Sequence, residues 1–282
     1  MIPLAPLEFL FDLARGDDLP LPTELAALYG PLRIPLREGR PYVMGNFVTT
    51  LDGVASLSAP GMAEGGVISG FNPHDRMVMG LLRSVADAVI VGAGTLRSEP
   101  RHLWTAEHIC PALALPYRQL RSALGKNDPP LNVIVTARGE IDLGLPVFRS
   151  GAVKVLVVTT SEGAGRIRIC DLPPSVVIGE VKKEGGIGAR AILTAIGRVR
   201  PGKIFLVEGG PRVMGDFFAG KCLDELFLTL APQVAGRDGT VERPGFVAGK
   251  HFAPERPLWG TLAGAKRGGS HLFLRYVFAT EE

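Results

Sequence analysis

The stretch of sequence that decides the fold reads LRSVADAVIVGAGT and spans residues 82–95. A run of mainly apolar residues, Ala86–Val91, leads directly into Gly92 and Gly94. Such a run is typical of a strand that is buried on both faces, as the strands of a parallel sheet are. We therefore predict a parallel strand that ends in a glycine loop, at the edge of the sheet where α/β proteins bind their ligands.

A helix is predicted immediately before this strand. Asn72 can cap the helix, Pro73 suits its first position, and Asp75 lies in the first turn, where the helix dipole favours an acid. Apolar residues then recur every four positions over Met77–Val85, so they share one face of the helix. We expect that face to pack against the sheet.

The rest of the chain continues this alternation of strands and helices. That pattern is typical of an α/β domain with a largely parallel sheet flanked by helices. Strands are predicted at Tyr42–Thr50, Asn132–Thr136, Lys154–Thr159, Val176–Val181, Lys203–Val207 and Leu226–Leu230, and helices at Ala189–Val199 and Pro211–Ala219. Two final strands, Leu258–Ala265 and His271–Ala279, are predicted to form an antiparallel hairpin at one edge of the sheet.

Residues 1–40 are predicted to form an accessory arm, and residues 41–282 the main domain. Six prolines divide the arm into short pieces. Within it, Leu7–Leu13 and Thr23–Tyr29 can form amphipathic helical turns, the second with Thr23 as its N-cap. We expect the arm to pack as a strap on the surface of the main domain.

Composition argues against several classes of protein. The 282 residues have a formal net charge of +3 and no lysine or arginine run, so nucleic acid is not an expected partner. The three cysteines lie far apart, and neither a disulfide framework nor a metal site is expected. No apolar run approaches the ~20 residues that span a bilayer, and no basic segment of the signal-peptide type begins the chain. We expect a cytoplasmic protein.

Two predicted strand ends carry glycines that can admit a ligand. Gly92-Ala93-Gly94-Thr95 follows one strand, and Glu208-Gly209-Gly210-Pro211 follows another. Glycine lets a phosphate approach the backbone, and the helix after it offers free N–H groups. The pair favours a dinucleotide or a phosphorylated ligand. The alternative is that both are tight turns that need a positive φ.

The order and spacing of the motifs resemble a known family. The motifs are Asn46–Gly53, Val67–Gly70, Leu82–Pro100, Val207–Gly210, Leu223–Leu226 and Ala231-Pro232. From about Arg40 onward they resemble the C-terminal reductase domain of the deaminase–reductases of riboflavin biosynthesis, whose fold is similar to that of dihydrofolate reductase. None of the five histidines begins an H-x-E motif and there is no P-C-x-x-C, so the chain resembles a stand-alone reductase without the zinc-dependent deaminase half.

The resemblance implies an NADPH-dependent reductase of a phosphoribosylamino-pyrimidine, of the 5-amino-6-(5-phosphoribosylamino)uracil type. NADPH would give a hydride to the C1′ imine of the open-chain ribose. A related pterin or pyrimidine reductase, and an NADP-binding protein without turnover, are the alternatives. The resemblance also implies a homodimer, which the apolar strands Leu226–Leu230 and Leu272–Phe278 favour, because an uncovered apolar edge strand is a liability. Alternatively, residues 1–40 cover that edge.

The sequence and the resemblance together suggest the residues of the site. Catalysis is expected of Glu208 and Asp52, although Asp52 can equally cap its own turn. NADPH is expected to contact Thr49, Gly92, Gly94, Thr95, Glu99, Gly209, Gly210, Pro211, Arg212, Val213 and Met214. The substrate is expected to contact Asn46, Ser69, Arg83 and Glu208, with Arg83 on its phosphate.

The chain departs from the family at two of these positions. Most of the family has Asp followed by Asn-Pro where this chain has Glu99-Pro100-Arg101, and the bifunctional members have lysine in place of Asn46. Arg97 and Arg101 can either meet the extra phosphate of NADPH or lie on the surface.

Overall fold

The computed structural model describes residues 4–58, 64–182 and 186–280. The strands are β1 (Glu8–Asp12), β2 (Asp17–Asp18), β3 (Arg33–Ile34), β4 (Tyr42–Thr49), β5 (Ala88–Gly92), β6 (Leu131–Thr136), β7 (Val155–Thr159), β8 (Val176–Glu180), β9 (Ile204–Val207), β10 (Glu225–Leu230), β11 (Gly260–Gly268) and β12 (His271–Phe278). The helices are α1 (Thr23–Tyr29), α2 (Glu64–Ser69), α3 (Pro73–Val85), α4 (Ala93–Ser98), α5 (Ala106–Ile109), α6 (Ala114–Ala123), α7 (Pro146–Arg149), α8 (Ser161–Arg168), α9 (Ala189–Val199) and α10 (Pro211–Ala219), and a 3₁₀ turn, Pro111–Leu113, precedes α6.

One large sheet organises the described residues. Its strand order is β1-β11-β12-β10-β4-β9-β5-β6-β7-β8. The strands from β10 to β8 run parallel to one another, whereas β12, β11 and β1 add antiparallel strands on one side. The predicted α/β fold, a mostly parallel central sheet flanked by helices with a C-terminal antiparallel hairpin, is confirmed.

Strand β5 explains why every residue from Ala88 to Val91 is apolar. Val89 and Val91 point into an apolar core on one face of the sheet, together with α3 and α6. Ala88 and Ile90 point into a second core on the opposite face, together with α9 and α10. Successive side chains of a strand face opposite sides, so a strand covered on both faces needs apolar residues at every position.

The beginning of α3 follows the predicted pattern. The side-chain oxygen of Asn72 accepts hydrogen bonds from the backbone N–H of His74 at 2.8 Å and of Asp75 at 3.2 Å. Pro73 occupies the first helical position. The cap fixes the direction in which α3 leaves its loop, and thus the side chains that the helix turns toward the sheet. None of the helices in the described ranges is long and apolar enough to cross a membrane.

The N-terminal segment differs from the prediction in detail. Glu8–Asp12 is a strand that pairs antiparallel with β11, so the helical turn predicted at Leu7–Leu13 is wrong. Helix α1 has the predicted bounds, Thr23–Tyr29, but Thr23 lies inside it and the capping position is Pro22, which makes no side-chain cap bond. A free strand edge on β11 outweighs the local helical pattern, because pairing satisfies backbone groups that would otherwise lack partners.

The first strand of the C-terminal hairpin lies later in the sequence than predicted, and the hairpin is not at the edge of the sheet. Strand β11 runs on to Gly268, and the turn consists of Gly269 and Ser270, with a φ of +62° at Gly269. Strand β12 lies between β11 and β10, and β1 covers the outer side of β11. The terminal strand is therefore not the uncovered edge on which the sequence argument for a dimer relied.

Candidate active site

Strand register brings the two glycine junctions together. Val207 of β9 pairs with Gly45 of β4 on one side and with Ile90 of β5 on the other. Glu208 follows the last residue of β9, and Asn46, which lies within β4, is next to it, so the two side chains meet at the carboxyl end of β9. In the order β10-β4-β9-β5-β6, the chain passes from β4 toward β5 and β6 on one side and from β9 toward β10 on the other. Open α/β sheets bind their ligands at such a point, where the direction of the connections reverses.

A cleft of about 770 Å³ opens at this edge, within the range of small-molecule sites. Eight of the predicted site residues line it: Asn46, Ser69, Gly94, Thr95, Glu99, Glu208, Gly210 and Pro211. Arg97 also lines the cleft, whereas Arg101 is exposed and does not. Sequence reasoning missed further lining residues, among them Phe47, Val48, Asp75, Arg76, Met79, His102 and His108.

The glycines of the two junctions serve different purposes. A Cβ on Gly209 would lie 2.2 Å from Cα of Val91, so glycine is needed there for β5 and β9 to pack closely. Gly210 has a φ of +61° and forms the tight turn that opens α10, whereas Gly92 has an ordinary φ of −84°. A Cβ on Gly94 would meet nothing within 4 Å. The tight-turn alternative thus applies to Gly210, and Gly94 presents open backbone to the cleft.

Other residues predicted to contact NADPH do not line the cleft: Thr49, Gly92, Gly209, Arg212, Val213 and Met214. The side chains of Thr49, Val213 and Met214 are buried. The amide of Met214 donates to the carbonyl of Gly210 at 3.1 Å, so neither its side chain nor its amide is available to a ligand. The amides of Arg212 and Val213 lie in the first turn of α10, where N–H groups have no acceptor within a helix.

Arg83 and Glu208 form a buried ion pair at the wall of the cleft. Nε and Nη2 of Arg83 each lie 2.8 Å from Oε2 of Glu208, and the two side chains are 1% and 3% exposed. Asn46 approaches Oε1 of Glu208 with its side-chain nitrogen at 3.4 Å. Arg83 itself does not line the cleft. Its contact with a substrate phosphate stays a prediction, and the geometry favours a different role, that of holding Glu208 in place.

His102 connects this ion pair to the first junction. Nη1 of Arg83 lies 2.8 Å from Nε2 of His102, whose Nδ1 lies 3.0 Å from Oε2 of Glu99. Burial, with Arg83 and His108 beside it, lowers the pKa of His102 to about 2, so the imidazole is neutral. Because an arginine can only donate, Nε2 accepts and the proton lies on Nδ1, facing Glu99. A chain of hydrogen bonds thus runs from the end of α4 to Glu208.

Asp52 stabilises a pair of loops. Its Oδ1 accepts from Oγ1 of Thr50 at 2.6 Å and from the amide of Ala235 at 3.1 Å, and its Oδ2 from the amide of Gly236 at 2.8 Å. These hydrogen bonds hold the pKa of Asp52 well below its usual range. A carboxylate that stays ionised is a poor proton donor, and Asp52 does not line the cleft. The geometry favours the turn-capping alternative, and the catalytic role stays a prediction.

Asp75 is the lining carboxyl that sequence reasoning assigned only to helix initiation. It is 5% exposed, and its Oδ1 accepts a hydrogen bond from Oγ1 of Thr229 on β10 at 2.7 Å. Burial is the main cause of a raised pKa at Asp75. An acid in the first turn of a helix is ordinary, so only the contact with β10, which is remote in sequence, distinguishes this one.

Comparison with known proteins places the chain in a family. Residues 41–255 match the model of the RibD C-terminal domain, whereas no curated protein sequence matches. A pyrimidine reductase-like protein from Corynebacterium diphtheriae is 19% identical, with a TM-score of 0.65, over 86% of this chain and 93% of that one.

Two further solved structures share the fold. The Thermotoga maritima diaminohydroxyphosphoribosylaminopyrimidine deaminase/5-amino-6-(5-phosphoribosylamino)uracil reductase is 20% identical, with a TM-score of 0.61, over 86% of this chain and 58% of that one. The riboflavin biosynthesis reductase Rib7 of Saccharomyces cerevisiae is 17% identical, with a TM-score of 0.57, over 85% of this chain and 90% of that one. The family resemblance inferred from the motifs is confirmed, and the chain belongs to the RibD C-terminal domain family.

Proposed function

We propose that this chain is an NADPH-dependent reductase of a phosphoribosylamino-pyrimidine, of the 5-amino-6-(5-phosphoribosylamino)uracil type. The observation that carries the proposal is the meeting of two glycine junctions in one cleft, directly above the buried carboxylate of Glu208. The name of the Thermotoga maritima relative includes a reductase of that compound. The shared fold alone would not support the activity, because one fold hosts many reactions.

The cofactor fits the cleft through backbone more than through side chains. Gly94 leaves open space beside the first turn of α4, and Gly210 and Pro211, which line the cleft, form the beginning of α10. Helix N-termini of this kind bind phosphate groups. Arg97 lines the same cleft and supplies the positive charge that an additional phosphate of NADPH needs. When bound, NADPH supplies the hydride.

Glu208 is the residue that we expect to act on the substrate. Its Oε2 is engaged by Arg83, whereas, among the residues that the structure describes, Oε1 is approached by Asn46 at 3.4 Å and keeps lone pairs for a ligand. An imine accepts a hydride more readily when its nitrogen is protonated. A fixed carboxylate beside that nitrogen stabilises the positive charge without having to reorganise during the reaction. In this proposal Arg83, Asn46 and His102 orient Glu208 and do not touch the reacting atoms.

Two variants with matched chemistry test the cofactor site. Gly94→Leu places a side chain in the open cleft, and we expect it to abolish both the change in NADPH fluorescence on binding and the loss of absorbance on oxidation. Gly197→Leu is the control, because Gly197 lies on α9, away from the cleft, and its Cβ would also meet nothing within 4 Å. If Gly94→Leu binds NADPH with the same affinity as the wild type, the proposed cofactor site is wrong. If the wild type binds NADPH but does not oxidise it in the presence of the substrate, the result would favour the alternative that the protein binds NADP without turnover.

A homodimer is a separate proposal that rests on the family resemblance. Because β1 covers β11 and β12 is internal, the uncovered-edge argument no longer supports it. Light scattering tests it directly, since two chains of 30.0 kDa give a particle of about 60 kDa. A particle of the monomer mass at every concentration would end this proposal.

A further inference from the structure

The contacts of Arg83 leave it without a donor for a substrate phosphate. Its Nε and Nη2 point to Glu208, and its Nη1 lies 2.8 Å from Nε2 of His102. The same Nη1 donates to the carbonyl of Thr105 at 3.2 Å, and the side chain is 1% exposed. Moving Arg83 onto a phosphate would leave the carboxylate of Glu208 buried without its partner, which is costly. A phosphorylated substrate therefore needs another cation that the cleft exposes.

Arg76 is the exposed cation that α3 presents to the cleft. It lines the cleft, and within the described ranges its guanidinium forms no ion pair. Arg76 and Arg83 are seven residues apart, so they lie about two turns and ~10 Å apart along one side of α3. Burial is the main cause of the low pKa of His102, and the charge of Arg76 contributes to it. The guanidinium of Arg76 is thus on the side of α3 where His102 and the buried ion pair lie.

An unusual backbone conformation holds an aromatic ring beside Arg76. Phe71 lies between α2 and α3 with a φ of +54°, in the left-handed region that a bulky residue rarely adopts. It lines the cleft and is 53% exposed, so it contributes little to the hydrophobic core. Strained conformations of this kind cluster at functional sites, where the surrounding structure maintains them. The position of Phe71 therefore indicates a role for its ring in the cleft.

The ring of Phe71 contacts α2 and α3. The guanidinium carbon of Arg76 lies over the ring, 5.4 Å from its centre. A Cβ on Gly66 would lie 2.8 Å from Cε1 of the ring, so glycine leaves room for it on α2. The amide of Phe71 also donates to the carbonyl of Gly66 at 2.6 Å. A guanidinium is attracted to an aromatic face and keeps the N–H groups at its own edge available to a ligand. Phe71 thus restricts where those N–H groups point.

We propose that Arg76, positioned by Phe71, binds the phosphate of the substrate, the role predicted for Arg83. Two parallel N–H groups of a guanidinium match two oxygens of a phosphate. With the imine carbon beside Glu208, an extended ribose chain runs along α3 and brings its phosphate toward Arg76. The inference rests on the proposed function, because it names the residue that holds the other end of the same substrate.

Other basic residues of the cleft suit this role less well. Arg97 lies on α4, beside the glycine junction that we assign to the cofactor. Burial and the charge of Arg83 lower the pKa of His108, so its imidazole is neutral near pH 7. The carboxyl group of Asp75, next to Arg76 in sequence, is held by Thr229 at 2.7 Å, and burial raises its pKa. Asp75 therefore opposes an anion at Arg76 less than an exposed carboxylate would.

The test compares 5-amino-6-(5-phosphoribosylamino)uracil with the same compound without its phosphate, by calorimetric titration. Arg76→Met keeps much of the side-chain length and removes the charge. We expect roughly 10–100-fold weaker binding of the phosphorylated compound, the range for hydrogen bonds to a charged group, and unchanged binding of the other compound. The affinity for NADPH should not change, which distinguishes the substrate's phosphate from those of the cofactor. Arg118→Met is the matched control, because Arg118 is exposed on α6 and does not line the cleft.

Phe71→Gly separates positioning from structural support. Glycine adopts the left-handed conformation without strain, so the variant should unfold at the same temperature as the wild type or at a higher one. It should nevertheless bind the phosphorylated compound about 2–5-fold less tightly, the strength of an exposed cation–π contact. Phe71→Tyr keeps the ring and should bind like the wild type. A lower melting temperature of Phe71→Gly with unchanged affinity would show a structural role and overturn the part assigned to Phe71.

The assignment of Arg76 is overturned if folded Arg76→Met binds the phosphorylated compound as the wild type does, or loses affinity equally for both compounds or for NADPH. A wild type without preference for the phosphorylated compound would overturn it as well. Phosphate-dependent binding without NADPH oxidation would contradict the proposed function and leave the inference standing. NADPH oxidation with the same KM for the two compounds would support the proposed function and overturn the inference.

Discussion

Replacing Arg83 with methionine tests the ion pair that holds Glu208. Methionine keeps most of the side-chain volume and removes the charge, so Glu208 would remain buried without its partner. Removing one partner of a buried pair typically costs about 3–5 kcal/mol. Both side chains are almost fully buried, and Arg83 also donates to the carbonyl of Thr105 at 3.2 Å, so the full range applies here. We expect the free energy of unfolding to fall by that amount in urea denaturation.

A double-mutant cycle separates the pair from the loss of packing. Arg83→Met combined with Glu208→Gln leaves no unpaired charge, so the double variant should lose about 1–3 kcal/mol less than the sum of the single variants. Arg267→Met is the control, because its ion pair with Glu8 is about half exposed and should contribute no more than ~1 kcal/mol. A loss below about 1 kcal/mol for Arg83→Met, or strict additivity in the cycle, would refute the reasoning.

Three further changes have defined outcomes. Gly209→Ala should lower the melting temperature sharply or prevent folding, because its Cβ would lie 2.2 Å from Cα of Val91; calorimetry measures this. The pKa of His102 is lowered from 6.5 to about 2 in the folded protein. Below pH 6.5 the unfolded chain therefore binds a proton at His102 that the folded chain does not bind, and the free energy of unfolding should fall by about 2 kcal/mol from pH 7 to pH 5. His102→Gln should show a smaller fall in urea titrations at the two pH values. Asn72→Ala should cost about 1 kcal/mol in the same assay, because it removes the cap of α3.

Local sequence pattern was sufficient for most of the parallel sheet. Helices α9 and α10 have the predicted bounds, and the apolar run of β5 identifies a strand covered on both sides. Strand β1 was missed because its partner is remote: Glu8 pairs with Arg267, 259 residues later. Five residues with no clear alternation carry no local signal for such a pairing, and only the free edge of β11 makes them a strand.

The site was predicted in outline, but its polar contacts were not. Glycines at strand ends indicated where the cleft lies, because that signal depends only on local backbone geometry. The side chains of Arg83, Asp52 and Asp75 take their roles from partners that the fold brings from far along the chain. Arg83 meets Glu208, 125 residues away, and Asp75 meets Thr229, 154 residues away. Residue type and spacing therefore identified the charged residues of the site. Only the tertiary structure shows which of them can contact a ligand and which hold another residue in place.

Transfer of deuterium tests the central claim, that this cleft passes a hydride from NADPH to the ribose of a phosphoribosylamino-pyrimidine. The wild type is incubated with NADPH deuterated at both C4 positions and with 5-amino-6-(5-phosphoribosylamino)uracil, and the products are analysed by mass spectrometry. We expect a product heavier by one deuterium at C1′ of the ribityl chain, and loss of that product in Gly94→Leu. A reduced product without deuterium, or no reduced product while NADPH binds, would contradict the claim.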